Sequence, residues 1–409
     1  MAEKLELQEV EVWDGNMAFS QAMRQAQIDV VAAYPITPST PTVQNYAKFL
    51  ADGYIDGEFV MVESEHAAMS GCVGAAAAGG RVATASSSQG IALMVEVLYQ
   101  ASGMRLPIVL AMVNRALASP LNVNGDHSDM YLTRDAGWIN LCAFNPQEAY
   151  DMILCAFKIG EDMKVRLPVA VHQDGFICSH TAQNVKPLSD DDAYAFIGEY
   201  KTQDDLLDFT RPVTYGAQTE EDWHFEHKAK QHKALMDSRA VIDEVFAEFE
   251  KKTGRKYNKV EKYLMEDAEV VIVALGTTVE SAVTTAKAMR EEGIKAGVVA
   301  PRVLRPFPFD DIRDAFGSSV KAIACLDRSA PGGAMGMLFN EITSALYSSG
   351  VVVPVINYIY GLGGRDMTQT HLKEIYNELK VCADAGKVVG KIQRFSGLRG
   401  PELSFFEQK

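Results

Sequence analysis

What the chain lacks narrows the field first. Its 409 residues include six cysteines, Cys72, Cys142, Cys155, Cys178, Cys325 and Cys382, each standing alone in the sequence. Without a CxxC or CxxxC pair, the chain by itself is expected to hold neither an iron–sulfur cluster nor a structural zinc. Lone thiols in apolar or small-residue surroundings read as buried free cysteines in a reducing, cytoplasmic compartment. No apolar run approaches the about 18 residues of a membrane span, the longest being stretches such as Leu106 to Val113. The N-terminal MAEKLELQEVEVWDG is acidic and lacks the basic-then-apolar order of a signal peptide. Positive charge is also short. Subtracting 54 Asp and Glu from 39 Lys and Arg leaves −15, and the one notably basic stretch is 251–259, so nucleic acid is not an expected partner.

Apolar residues at 47% and charged residues at 23% are those of a globular protein with a full core. The length points to two or three domains. From residue 28 to 187, short apolar or β-branched runs alternate with longer amphipathic or Ala-rich segments, the pattern of strands joined by helices in a parallel sheet. The predicted strands are 28–35, 59–64, 81–88, 107–115, 139–144 and 168–175, with helices at 66–80 and 90–104. The rhythm restarts at 268–278, followed by a helix over 279–293 closed by Gly293. Between the halves, 189–258 is polar and carries one amphipathic helix with Val241, Val245 and Phe249 on a face. The reading is two α/β domains, 1–255 and 256–409.

Five segments could carry chemistry. In AAYPITPST (32–40), two prolines stiffen the chain as it leaves the carboxyl edge of the sheet, where ligands of open α/β folds bind. The alternative is a rigid connection in which Ser39 or Thr40 caps the next helix. In VESEHAAMSG (62–71), Glu63 and Glu65 sit between an apolar strand and a small-residue helix. A carboxylate there is either used or caps the helix dipole. Arg115 follows an apolar strand and could clamp a carboxylate, or form an ion pair. Asp126, His127 and Asp129 suggest a metal site, an acid/base pair or a loop-ordering network, and fit no zinc spacing. SSSQG (86–90) and GLGGRDM (361–367) could each offer backbone N–H groups to a phosphate, or could simply be turns.

In this order, DGN (14–16), YPITPST (34–40), ESEHAA (63–68), SSSQG, NRALASP (114–120), GDHSD (125–129) and RDAGW (134–138) resemble the α subunit of the multi-subunit pyruvate:ferredoxin oxidoreductases, or pyruvate synthases. TGRKY (253–257), RVLRPF (302–307), LDRS (326–329) and YGLGGRD (360–366) extend the resemblance over nearly the whole chain. It implies a thiamine-diphosphate-binding domain of the pyrimidine type followed by a smaller transketolase C-terminal-like domain. It also implies oxidative cleavage of a 2-oxoacid, with acyl transfer to coenzyme A and electrons passed to ferredoxin. By the same resemblance, Glu65 matches the glutamate that hydrogen-bonds N1′ of the cofactor's aminopyrimidine and favours its imino tautomer. Thr37 matches the threonine near the substrate's carboxylate and carbonyl, and Arg115 the arginine that binds the carboxylate. Tyr34 and Pro35 line the same cavity.

Thiamine enzymes hold the diphosphate through Mg²⁺ with a GDG motif, and this sequence has none. The resemblance therefore implies that Mg²⁺ and the [4Fe–4S] clusters lie on partners. Those partners are a subunit with the diphosphate site, an iron–sulfur ferredoxin-like subunit, a coenzyme A-related subunit and external ferredoxin. Pyruvate fits the motif set best; branched-chain, aryl or oxalate substrates, or a non-catalytic nucleotide-binding or assembly subunit, are the alternatives. Relative to single-chain members, the Arg115-to-Asp126 interval is one residue shorter. The roles of His66 and of the GLGGRD loop stay open.

Overall fold

The computed structural model describes residues 9–202 and 204–399. Of the N-terminal stretch read above, residues 1–8 lie outside the described residues, as do 400–409 of the second expected domain. The first half runs β1 (Glu11–Trp13), α1 (Gly15–Gln25), β2 (Val30–Ala33), α2 (Thr40–Ala51), β3 (Glu58–Met61), α3 (Glu65–Ala77), β4 (Val82–Ser86) and α4 (Ser88–Gly103). It continues through β5 (Val109–Asn114), α5 (Met130–Arg134), β6 (Ile139–Cys142), α6 (Pro146–Glu161), β7 (Val169–Asp174), β8 (Gln183–Val185), α7 (Asp190–Ile197) and α8 (Glu221–Thr253). Each of the six strands predicted in this half is present.

Period-2 alternation divides the sheet's side chains between two layers. Val31, Ala33, Val109, Ala111 and Val113 pack with α1 and α6, whereas Ala32, Val82, Leu110 and Met112 pack under α3 and α4. Both faces are covered, as a parallel sheet requires. Truncating a fully buried Leu110 to Ala costs about 2–5 kcal/mol. The amphipathic helix expected around Val241 is α8, 33 residues long, and it ends where Gly254 adopts φ 76°. All six cysteines are buried and free.

The second half comprises β9 (Val260–Tyr263), β10 (Val270–Val273), α9 (Thr278–Glu291), β11 (Ala296–Pro301), β12 (Val303–Arg305), α10 (Phe309–Ala315), β13 (Ala322–Asp327), α11 (Met337–Ser348), β14 (Val355–Ile359), α12 (Gln369–Ala385) and β15 (Gln393–Phe395). Its sheet has the order β15-β14-β13-β10-β11-β9, parallel except for β9. The first sheet has the order β12-β6-β7-β5-β4-β2-β3. Its β12 comes from the second half and pairs antiparallel with β6, so the two halves share a sheet edge. Beside it, buried Arg302 donates to both oxygens of Glu148 at 2.8 and 3.1 Å and stacks over Phe144 and Tyr257. The RVLRPF motif is thus a seam between halves, and TGRKY is a second one, with Arg255 and Tyr257 both donating to buried Asp151.

Candidate active site

In the first sheet β2 lies between β3 and β4, so the chain's connections leave on opposite sides at that point. Strand order reverses there, and a crevice opens at the carboxyl ends of β2 and β4. The loop Tyr34–Ser39 leaves β2 into that crevice, and SSSQG leaves β4 into it. Arg115 follows β5, the next strand across, and Glu65 opens α3.

The loop is held from below by the DGN motif. Asp14 caps α1 by accepting from the Met17 N–H at 2.8 Å, and Asn16 donates to the Pro38 carbonyl at 3.1 Å and accepts from Thr42 Oγ1 at 2.8 Å. Gly15 is needed because a Cβ there would sit 1.8 Å from Gln173 Oε1. Ser39 does not cap α2 with its side chain; its hydroxyl donates to the Ile36 carbonyl at 2.9 Å. Pro38 is buried while Tyr34, Pro35 and Thr37 face outward, and the Thr37 hydroxyl makes no hydrogen bond among the described residues.

Glu65 is the first residue of α3 and is buried. The cap is Ser64, whose hydroxyl accepts from the Ala67 N–H at 3.1 Å. That leaves the Glu65 carboxylate free of the capping role, and it accepts no hydrogen bond among the described residues. Against it lies Gly90, where a Cβ would come within 2.7 Å of Glu65 Oε1 and 2.5 Å of Ser86 Oγ. The Ser86 hydroxyl on this side of Gly90, and that of Ser87 after it, are buried without partners among the described residues. Neighbouring His66 is half-exposed and lies 3.7 Å from Glu96.

Arg115 is buried and meets the proline loop directly, Nη1 donating to the Thr37 carbonyl at 2.9 Å and Nε to the Asn122 carbonyl at 3.1 Å. Its Nη2 has no hydrogen-bond partner among the described residues. Burial lowers its pKa from the ordinary arginine value, with Asp129 opposing. The pattern is not an ion pair: among the described residues no carboxylate pairs with the guanidinium, which leaves its charge available to an anion. Thr37 and Arg115 are therefore in contact. Glu65 lies against Gly90 in the first turn of α4, and among the described residues no hydrogen bond links it directly to Thr37 or Arg115.

Of the GDHSD cluster, Asp126 and His127 face the second half. His127 Nε2 lies 2.5 Å from Asp174 Oδ1, Asp174 Oδ2 accepts from the Thr277 N–H and hydroxyl at 2.7 and 2.5 Å, and Arg328 stands 3.4 Å away. Burial alone would raise Asp174, but His127, Arg328 and Thr277 outweigh it and hold its carboxyl below the usual range. Asp126 accepts from the Gly363 N–H at 3.1 Å, and Asn122 donates to the Gly363 carbonyl at 3.1 Å. The GLGG loop is therefore a clasp; the Gly363 N–H is not free for a phosphate. Its glycines permit close approach, since a Cβ on Gly363 or Gly364 would lie 2.4 Å from Asn122 or Asn124, and both have positive φ. Among the described residues no three His, Cys, Asp or Glu side chains converge as a metal site.

Residues 21–247 match the family model described as "Pyruvate flavodoxin/ferredoxin oxidoreductase, thiamine diP-bdg", more than half of the chain, and 268–372 match "Pyruvate:ferredoxin oxidoreductase core domain II". The chain belongs to the pyruvate:ferredoxin oxidoreductase family. A relative from Thermotoga maritima named pyruvate synthase subunit PorA is 45% identical, over 94% of this chain and 97% of its own length. One from Pyrococcus abyssi, named ketoisovalerate oxidoreductase subunit VorA, is 39% identical over 93% and 96%. Among solved structures, a 2-oxoglutarate:ferredoxin oxidoreductase from Magnetococcus marinus has the same fold at 22% identity, with a TM-score of 0.71 over 92% of this chain and 66% of that one. A split-gene transketolase follows at 13% identity, TM-score 0.50, over 91% and 98%. This is an oxidoreductase family built on thiamine-diphosphate-binding domains, and its relatives here are named as subunits.

The resemblance drawn from the motifs thus names the right family, and both α/β halves are present. Gly90 is not singled out by the sequence as an individual residue, and neither are the three donors that meet Asp129, the Ser88 and Arg115 N–H groups and Asn114 Nδ2. The signal for Gly90 was present in SSSQG, a glycine one turn into a helix that opens at the sheet's carboxyl edge.

Proposed function

We propose that this chain is the α-type subunit of a 2-oxoacid:ferredoxin oxidoreductase acting on pyruvate in the cytoplasm, and that it supplies the pyrimidine-binding half of a thiamine diphosphate site. The observation that carries the proposal is Glu65: a buried carboxylate, relieved of capping by Ser64 and without a hydrogen-bond partner among the described residues, at the switch point of a domain of this family. Its fit to an aminopyrimidine rests on Gly90, whose missing Cβ leaves open the space beside Oε1. Thiamine diphosphate, when bound, supplies the carbon nucleophile and the electron sink for decarboxylation. The protein's part is to hold and orient. Glu65 would hydrogen-bond a ring nitrogen of the pyrimidine, accepting from it in the tautomer where that nitrogen carries a proton. Arg115 offers Nη2 to the substrate carboxylate, and the Thr37 hydroxyl stands on the same loop to meet the substrate's oxygens. Tyr34 and Pro35 form the outward wall. Too strong a grip on the carboxylate would stabilise the ground state, so the value of Arg115 lies in orientation.

The diphosphate, Mg²⁺ and [4Fe–4S] clusters are assigned to partner subunits, and coenzyme A to a further subunit. In support, the edge strand β3 leaves Val60 and Met61 exposed and α4 leaves Leu93 and Tyr99 exposed, apolar surface suited to a partner. The functional division is placed near residue 255, after α8. The test is reconstitution with the partner subunits, following ferredoxin reduction with pyruvate against 2-oxoisovalerate. Thiamine- and coenzyme A-dependent reduction, faster with pyruvate, is expected. Loss of at least about a hundredfold in Glu65→Gln supports its role; full activity in that variant overturns it.

A further inference from the structure

Asp129 lies in the loop that precedes α5 and is completely buried. Among the described residues it forms no ion pair and no hydrogen bond with the seam partners that His127 and Asp126 use. Its Oδ2 accepts two backbone N–H groups, from Ser88 at 2.7 Å and from Arg115 at 2.9 Å, while Oδ1 accepts from Asn114 Nδ2 at 2.8 Å. Ser88 begins α4, two residues before Gly90 and its contact with Glu65. Arg115 carries the free Nη2. One oxygen atom therefore joins the two sides of the crevice.

We propose that Asp129 is a positioning residue of this active site, fixing the separation between the Glu65–Gly90 side and the Arg115–Thr37 side by binding both backbones through one oxygen. The proposal rests on the site reading given above. Ser88 strengthens it. This serine has φ 49°, a left-handed conformation that a non-glycine residue keeps only when its surroundings impose it. The constraints are the bond from its N–H to Asp129 and its hydroxyl's bond to the Ala116 carbonyl. Without Asp129 the turn can relax, shifting Gly90 against Glu65, while the backbone of Arg115 loses its anchor at the same time. Displacements of about 1 Å at such groups reduce turnover markedly.

An uncharged acceptor should serve nearly as well as a carboxylate. Burial raises Asp129 to about 7 despite its three hydrogen bonds, so the charge itself is poorly supported. An asparagine oxygen in the place of Oδ2 keeps both backbone bonds. Asn114 can then turn over and present its Oδ1, which is buried and has no partner, at the cost of the 3.3 Å contact between its Nδ2 and His172 Nδ1.

The experiment compares Asp129→Ala, Asp129→Asn, Glu65→Gln and Arg115→Ala in the reconstituted complex, after thermal melting has shown that each folds and assembles. The expected result for Asp129→Ala is a rise of about tenfold in KM for pyruvate and a fall of about tenfold in kcat, with Asp129→Asn within about threefold of wild type in both. A role in stability alone would lower the melting temperature and leave KM and kcat unchanged. That outcome, with Glu65→Gln inactive, overturns the positioning role and leaves the site reading standing. Asp129→Asn as impaired as Asp129→Ala overturns the hydrogen-bond mechanism. An active Glu65→Gln complex overturns the site reading itself, and the inference with it. If Asp129→Ala does not assemble, Asp129→Glu decides: its extra methylene drives the carboxylate against both amides, and wild-type KM and kcat there overturn the proposal.

Discussion

Each half of the chain is a wound sheet with a point where strand order reverses, and the two crevices have opposite fates. In the second sheet the reversal lies between β10 and β13. Its crevice, between Gly276–Thr277 and Arg328, is filled by Asp174 and His127 from the first half: Thr277 donates to Asp174, and a Cβ on Gly276 would lie 2.5 Å from Asp174 Oδ2. In the first sheet the crevice between β2 and β4 keeps its polar groups open. Asp174 and Asp126 both accept hydrogen bonds within the chain, whereas Glu65 accepts none among the described residues. The same residue types therefore stabilise one crevice and leave the other able to bind. Fold position alone marks two candidate sites; unused hydrogen-bonding capacity selects between them.

Asp174→Asn tests the filled crevice and has the largest expected effect. Removing the charge leaves His127 and Arg328 buried around a neutral amide, which should cost about 3–5 kcal/mol of stability. Measured by denaturant unfolding, that loss should come with an unchanged KM for pyruvate in complex that still assembles. A normal stability with a raised KM would reverse the assignment of the two crevices. The open crevice is tested next by Gly90→Ala. The new Cβ must displace both the Glu65 side chain and Ser86 Oγ, and turnover should fall about a hundredfold with little change in melting temperature.

Arg115→Ala sharpens the comparison within the open crevice. A charge-assisted hydrogen bond is worth about 1.5–3 kcal/mol, so KM for pyruvate should rise by about 10- to 100-fold, with kcat affected less. An unchanged KM removes the carboxylate clamp from the reading. Because Arg115 Nε rests on the Asn122 carbonyl and Asn122 in turn touches Gly363, its position also depends on the clasp between the halves.

The sequence disclosed the strands because buried parallel strands are short apolar runs, and Val30–Ala33, Val109–Asn114 and Val270–Val273 could be little else. Strand order was not legible, since pairing is a long-range choice with no local signature. The reversal between β2 and β4 and the crossing of Val303–Arg305 into the first sheet emerged only in three dimensions. For the candidate site, Glu65 and Arg115 were visible as charged residues beside apolar strands, and Thr37 was singled out only by the family resemblance. Asp126 and His127 were visible too, yet residue type could not separate an acid/base pair from a clasp, because their partners Gly363, Asp174 and Arg328 lie far along the chain. Asp129 was ambiguous for the same reason: two of its three donors are backbone amides, which every residue has.

The smallest effect expected is in acid, and its sign differs between the carboxylates of the two crevices. Asp174 is held below the usual carboxylate range in the fold, so it contributes stability that is present above the unfolded value of about 3.9 and is lost as pH falls toward its folded pKa. At pH 3.5 the unfolded chain takes up a proton that the native Asp174 refuses, a loss of about 0.7 kcal/mol relative to pH 5. Asp129 moves the other way. With its pKa raised to about 7 by burial, the native state binds the proton more tightly, and stability from this group falls as pH rises from about 4 to about 7. Denaturant unfolding of wild type and Asp174→Asn at pH 5 and pH 3.5 separates the two: the difference between the proteins should shrink by about 0.7 kcal/mol at the lower pH. A difference that stays constant would mean that folding leaves the affinity of Asp174 for its proton unchanged, and the second crevice would then be closed by packing rather than by charge.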